Sequence, residues 1–150
     1  MNDQRYEDLK LKNQLCFPLY ACSRETIRLY KPYLDELDLT YTQYISMMVL
    51  WERKAVTVKE LGNELYLDSG TLTPLLKKLE AKGLLTRKRS TADERNLIVT
   101  ITEQGEALKE KALSVHNGMA ACVNLTHEES VALYRLLYKM LRFVDADYGK

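Results

Sequence analysis

The stretch from Thr57 to Gly105, TVKELGNELYLDSGTLTPLLKKLEAKGLLTRKRSTADERNLIVTITEQG, constrains the fold more than any other part of the chain. Val58, Leu61 and Leu65 fall on one face of a short helix that Thr57 can cap, with Glu60 placed to reach back to the cap. After Tyr66, Leu67 and Asp68, a second helix carries Leu72, Leu75, Leu76 and Leu79 on one stripe, and Gly83 ends it. Its other face shows Thr71, Thr73, Lys77 and Lys78. Leu85 to Arg89 and Leu97 to Ile101 then have strand character, and the polar residues 90–95 between them form a loop. Two helices joined by a tight turn and followed by a hairpin present a short, polar, cationic outer face of the kind a major groove accepts.

Charge follows the same plan. From Lys77 to Arg95 seven cations stand against three anions, on a chain whose formal net charge is only +1. Taken alone, such a run describes a solvated surface; in this order of elements it describes a surface for phosphates.

The chain has 150 residues, 46% hydrophobic and 29% charged, which suits one domain with one core. No apolar run approaches the roughly twenty residues of a membrane span, and the opening MNDQRYEDLK is too charged for a signal peptide. The expected location is the cytoplasm, with no membrane partner. Cys16, Cys22 and Cys122 are too few and too scattered for a disulfide framework. His116 and His127 have no metal-ligand spacing, and no HExxH, GxSxG or phosphate-loop pattern occurs, so no metal, cofactor or catalytic residue is expected.

A first helix is expected to start at an Asn13 cap and run toward Lys31, with Leu15, Leu19, Ile27 and Tyr30 facing inward. Cys16 then falls at its third position, where free N–H groups and the helix dipole stabilise a thiolate; the alternative is a small buried apolar residue. Pro18 is expected to deprive the Gln14 carbonyl of a hydrogen bond and tilt this turn. Cys22 lies six residues beyond Cys16, about 9 Å along a helix axis and on another face, so the two should not bridge and Cys22 reads as structural. Pro32 marks an end or bend of this helix.

Thr40 and Gln43 form a second capping pair, for a largely apolar helix from Tyr41 to about Arg53. Pro74 should lie inside the second helix of the Thr57–Gly105 stretch if that helix starts near Asp68 or Ser69, with some local distortion. Thr102 caps a long helix from Glu103 to about Met119, and Cys122 falls in the segment beyond it. Thr126 with Glu129 opens the last helix. Its Leu133, Leu136, Leu137, Met140, Leu141 and Val144 cover more than half the circumference, so it needs burial on two sides, as in a twofold dimer.

DSGTLTPLLKKLEAKGLLTRKRSTADERN followed by TITEQG resembles the winged helix-turn-helix of the MarR family of transcription regulators. NQLCFPLYACSRE, LTYTQY and LYLDSGTLTPLLKKLE narrow the resemblance to the OhrR branch, which senses organic hydroperoxides. The similarity runs from about Leu11 to Glu110. It implies a mainly α fold with a small β-hairpin wing: a single domain over residues 1–150, with a winged lobe at about 41–105 and dimerisation helices at about 9–37 and 106–147. It also implies a repressor that binds a pseudo-palindromic double-stranded DNA operator as a homodimer and leaves it when oxidised.

By the same resemblance Cys16 matches the peroxide-reactive cysteine, and Tyr30 and Tyr41 match tyrosines that hydrogen-bond its sulfur from the partner subunit. Cys122 lies in the region of a cysteine that resolves the oxidised sensor in some relatives; others use a low-molecular-weight thiol. Pro18 departs from the family, where a small or aliphatic residue is usual. Ser69, Thr71, Thr73 and Pro74 become candidate contacts to base edges, and Lys77, Lys78, Arg87, Lys88 and Arg89 to phosphates. Asp93 and Arg95 stand at the wing tip, with Arg95 in the minor groove. Two rivals remain: a MarR-like repressor released by a small phenolic or aromatic acid, and a thiol peroxidase without operator affinity.

Overall fold

Capping residues set most element boundaries. The computed structural model describes residues 4–93, 95–122 and 124–148. Its main elements are α1 (Cys16–Glu36), α2 (Tyr41–Arg53), β1 (Ala55–Thr57), α3 (Val58–Leu65), α4 (Ser69–Ala81), β2 (Leu85–Arg89), β3 (Leu97–Ile101), α5 (Glu103–Cys122) and α6 (His127–Tyr148). Thr40 with Gln43 and Thr57 with Glu60 form the two expected capping boxes, at the starts of α2 and α3. At α6 the Thr126 N–H donates to Glu129 Oε2 at 2.8 Å and the Glu129 N–H to Thr126 Oγ1 at 3.2 Å. The helix α4 ends in a left-handed Gly83 (φ 73°), with Gly83 N–H donating to Glu80 O and Leu84 N–H to Leu79 O, a closure that glycine adopts without steric cost.

The amino-terminal helix departs from the sequence reading. Asn13 is spent on the 3-10 turns before α1: its N–H donates to Lys10 O at 2.9 Å and its side chain to Glu7 O at 2.7 Å. The helix therefore begins at Cys16, with Leu15 as an N-cap that makes no side-chain bond, and Cys16 holds the first helical position rather than the third. The expected tilt at Pro18 loses its cause, because the Gln14 carbonyl already accepts from Phe17 N–H at 3.2 Å. Pro32 does not end the helix either. It continues to Glu36, since the buried Leu34 and its neighbours Leu37 and Leu39 tie this end to the core. Leu15 (71% exposed) and Ile27 do not point inward, because the first half of α1 extends beyond the elements of its own chain. Cys122, expected in a connecting segment, is the last residue of α5.

The strands form one antiparallel sheet in the order β1-β3-β2, with Val99 of β3 opposite Val56 of β1 and Arg87 of β2. The wing hairpin matches its expected bounds; β1 is an addition, three residues long and hidden in sequence between two helices. Met47, Leu50, Leu61, Leu72, Leu76, Leu79, Leu85, Val99 and Val115 are fully buried and join α2–α5 to the sheet. The Trp51 indole donates to Gly105 O at 2.8 Å, binding α2 to the start of α5. Farther along α5, the Tyr33 ring lies against Gly118, where an added Cβ would come within 2.2 Å of it. From His127 to Val144 every residue of α6 is exposed except the half-buried Leu141. Among the described residues no helix is long and apolar enough to cross a membrane.

Candidate nucleic-acid interface and redox site

The α4 helix is pinned at its start by Asp68, whose Oδ1 accepts from the Thr71 N–H at 2.9 Å and whose Oδ2 accepts from the Thr71 hydroxyl at 3.0 Å. The Thr71 N–H bond is the main cause holding the Asp68 carboxyl below its ordinary pKa, so it stays ionised as a cap. The Thr73 hydroxyl donates to Ser69 O at 2.8 Å. Pro74 is inside the helix, its sixth residue, as the early start requires. Leu72, Leu75, Leu76 and Leu79 are buried while Ser69, Thr71, Thr73, Pro74, Lys77 and Lys78 are exposed, so one side of the helix anchors it and the other is presented to solvent.

The wing divides its cations. Lys88 and Arg89 are exposed, and Arg95 at the tip is 92% exposed. Asp93 shapes that tip: its carboxylate accepts from the Arg95 N–H at 3.1 Å, Arg95 Nε at 3.3 Å and the Asn96 amide at 3.2 Å. Asp93 is thus an organiser of the loop and holds Arg95 at its base.

Arg87 has a second partner besides any phosphate. Its side chain is only 18% exposed and clamps Glu80 of α4, with Nη2 at 2.7 Å and Nε at 3.0 Å from Oε2, while its N–H donates to Oε1 at 2.9 Å. This guanidinium holds the Glu80 carboxyl below its usual pKa. Arg87 therefore commits Nε and Nη2 to a strut between helix and wing. The sequence reading counted Glu80 only as an anion, because a clamp across the Gly83 turn has no local spacing rule to announce it.

The redox candidates are spread along the chain. Cys16, Cys22 and Cys122 are free and exposed on the single chain. Leu15 and Phe17 beside Cys16 are exposed as well. Tyr30 and Tyr41 meet edge to face with ring centroids 4.9 Å apart, and Tyr44 joins them at 6.1 Å from Tyr30. Burial pushes all three phenols up, so at neutral pH they are protonated donors. Fourteen residues of continuous helix put Tyr30 about 21 Å along the axis from Cys16, so a single chain does not bring the sulfur to these phenols.

Cys122 Sγ donates to Gly118 O at 3.4 Å and lies 3.9 Å from the Tyr33 hydroxyl, a neighbour the sequence did not reveal. The contact with Cys122 is the main cause raising the Tyr33 phenol. Tyr33 is seventeen residues from Cys16 on α1, about 25 Å along the axis, well beyond the roughly 7 Å Cα limit for a disulfide. Among the described residues no cluster of His, Cys, Asp and Glu suits a metal ion.

The fold and its cationic helix-and-wing surface define a winged helix-turn-helix regulator. Residues 28–112 match the family model described as transcriptional regulator SarA/Rot. Over 139 residues the chain is 48% identical to the organic hydroperoxide resistance transcriptional regulator of Bacillus subtilis (strain 168), covering 93% of this chain and 95% of that one. Over 103 residues it is 52% identical to the HTH-type transcriptional regulator SarZ of Staphylococcus aureus (strain USA300), covering 69% and 70%. Among solved structures, reduced AbfR bound to DNA has a TM-score of 0.75 at 35% identity, covering 94% of this chain and 99% of that one. Disulfide-formed AbfR has a TM-score of 0.66 at 33% identity, covering 96% and 98%. The chain belongs to the MarR family of winged-helix transcription regulators, in its OhrR-like branch.

Proposed function

We propose that the chain is a homodimeric transcriptional repressor that holds a pseudo-palindromic DNA operator while Cys16 is reduced and releases it when an organic hydroperoxide oxidises that thiol. The observation that carries this reading is the exposed Cys16 at the first turn of a helix, between exposed apolar residues Leu15 and Phe17. It occurs in a chain similar over 93% of its length to a regulator named for organic hydroperoxide resistance.

The DNA face is α4 and the wing. Ser69, Thr71, Thr73 and Pro74 approach base edges, Lys77, Lys78, Lys88 and Arg89 neutralise phosphates, and Arg95 enters the minor groove, held from below by Asp93. Arg87 supports this face through Glu80. Residues 1–150 act as one domain, with the winged lobe at about 41–105 and the dimerisation helices at about 9–37 and 106–147.

At the sensor, free N–H groups of the first turn favour the Cys16 thiolate. The thiolate attacks the distal peroxide oxygen; the O–O bond breaks, an alcohol leaves after taking up a proton, and Cys16 becomes a sulfenic acid. A thiol then displaces water to form a disulfide. That thiol is Cys122 of the partner subunit or a low-molecular-weight thiol, because the chain's own Cys122, beside Tyr33, is about 25 Å along α1 from Cys16. Tyr30 and Tyr41, as protonated donors, stabilise the partner's Cys16 sulfur across the interface. Each redox event changes DNA affinity rather than completing a catalytic cycle, and the protein works in the cytoplasm, where its operator and a thiol pool coexist.

The test is a gel shift with the DNA upstream of its own gene. Reduced protein should retard the fragment and cumene hydroperoxide should release it. Retention after oxidation contradicts the sensor. Steady peroxide turnover with added thiol and no retardation would support the peroxidase rival.

A further inference from the structure

The α6 helix makes a polar contact with the reading head of its own chain. The Tyr66 hydroxyl donates to Asp145 Oδ2 at 2.7 Å, across 79 residues of sequence. Tyr66 is the residue that bends the helix-turn-helix: it caps α3 in the left-handed region (φ 56°, ψ 36°), and its N–H and that of Leu67 both turn back to Gly62 O. A non-glycine side chain holds such a backbone when its surroundings fix it. Two residues beyond, Asp68 begins the cap of α4.

The two sides of α6 are specialised. Tyr134, Tyr138, Leu141 and Asp145 follow one helical stripe, with the Tyr134 and Tyr138 rings tilted against each other at 4.5 Å and Leu141 and Asp145 half-buried. Leu133, Leu137, Met140 and Val144 form a separate exposed apolar stripe. The apolar stripe suits a second copy of the chain, and the tyrosine-aspartate stripe is the one that reaches the reading head.

We infer that the Tyr66–Asp145 hydrogen bond is a latch by which α6 holds the α3–α4 turn in its DNA-binding pose, making Tyr66 a positioning residue for α4. This inference rests on the proposed repressor function and names the element through which the dimerisation region reaches the output. In the reduced dimer the latch is closed; the rearrangement that follows Cys16 oxidation moves α6 and opens it. The bond to Asp145 is the main cause raising the Tyr66 phenol, so the group is protonated and able to donate under physiological conditions.

The experiment measures operator affinity of reduced and hydroperoxide-treated dimers by fluorescence anisotropy. The proteins compared are wild type, Tyr66→Phe, Asp145→Ala, Asp145→Asn and the Tyr66→Phe/Asp145→Ala pair. In reduced protein, Tyr66→Phe and Asp145→Ala should each weaken binding about fivefold, and the pair by the same factor rather than the product. Asp145→Asn keeps an acceptor oxygen and should stay within about twofold of wild type. Oxidised forms should be unchanged, so the reduced-to-oxidised ratio narrows. Amide exchange of Leu67 in the DNA-free reduced dimer should quicken in Tyr66→Phe, giving a readout independent of the operator. Equal losses in both redox forms, or Tyr66→Phe indistinguishable from wild type, overturn the latch. If wild type binds and releases normally in that case, the repressor reading stands; if wild type neither binds nor releases, both fall.

Discussion

Arg87 illustrates how a residue's chemistry depends on the one it meets. In sequence it is one of three consecutive cations, and nothing in TRKR separates it from Lys88 and Arg89. In the structure Glu80 takes its guanidinium, and the pair fixes the wing against the last turn of α4. Glu80→Gln should therefore weaken operator binding several-fold while leaving hydroperoxide sensitivity intact, measured by anisotropy before and after oxidation; unchanged affinity would mean the wing holds its place without the strut. Cys122 gives a similar lesson. Its position near the end of α5 could be read approximately, but not its neighbour Tyr33, because the contact spans 89 residues and depends on Gly118 letting the ring approach. Cys16, Tyr30 and Tyr41 were identified by resemblance to a family pattern; spacing alone would have placed the tyrosines as packing residues.

At the scale of elements, local rules read well where one residue closes one bond. Thr40, Thr57 and Thr126 each announce a helix start, and the structure has capping bonds at all three. Thr57→Ala should cost about 1 kcal/mol, measured by urea unfolding, because the α3 start loses its acceptor for the Glu60 N–H. The same rule failed at Asn13, where a competing 3-10 turn claimed the cap, and β1 escaped notice because three residues give no alternation. Carboxylates tie these elements to pH. Glu60, Asp68 and Glu80 have folded pKa values below those of the free side chains, owing chiefly to the Thr57 side chain, the Thr71 N–H and the Arg87 side chain respectively. A depressed folded pKa gives stability that is complete above the free value of about 4 and is lost as pH falls through the folded values. Urea midpoints should thus vary little from these groups between pH 7 and 5, then drop below about pH 4. In the wing, Arg95→Ala should weaken operator binding markedly at physiological salt and flatten its salt dependence, since one cation leaves the groove.

At the scale of the molecule, one chain leaves its functions incomplete. Leu133, Leu137, Met140 and Val144 are exposed on α6, as are Leu15 and Phe17 beside Cys16. The need for a second subunit was legible in the excess apolar surface of the last helix; the distance between Cys16 and Cys122 was not, since it depends on α1 running unbroken through Pro32 and on Tyr33 meeting Cys122. Leu137→Asp should weaken the dimer by about 2 kcal/mol or more, roughly thirtyfold, seen as monomer in sedimentation velocity. The separation of Cys16 from its own Cys122 further predicts that, if Cys122 resolves the oxidised sensor, the disulfide joins two subunits. Non-reducing electrophoresis after hydroperoxide treatment should then show a dimer band that Cys122→Ser abolishes; mass equal to one added small thiol per chain would assign resolution to that thiol. The central claim, that oxidation of one sulfur governs the DNA contact, is tested most directly by Cys16→Ser. Titrated with cumene hydroperoxide on its operator, the variant should bind as wild type does when reduced and stay bound throughout, whereas release of Cys16→Ser at wild-type peroxide concentrations would contradict the account.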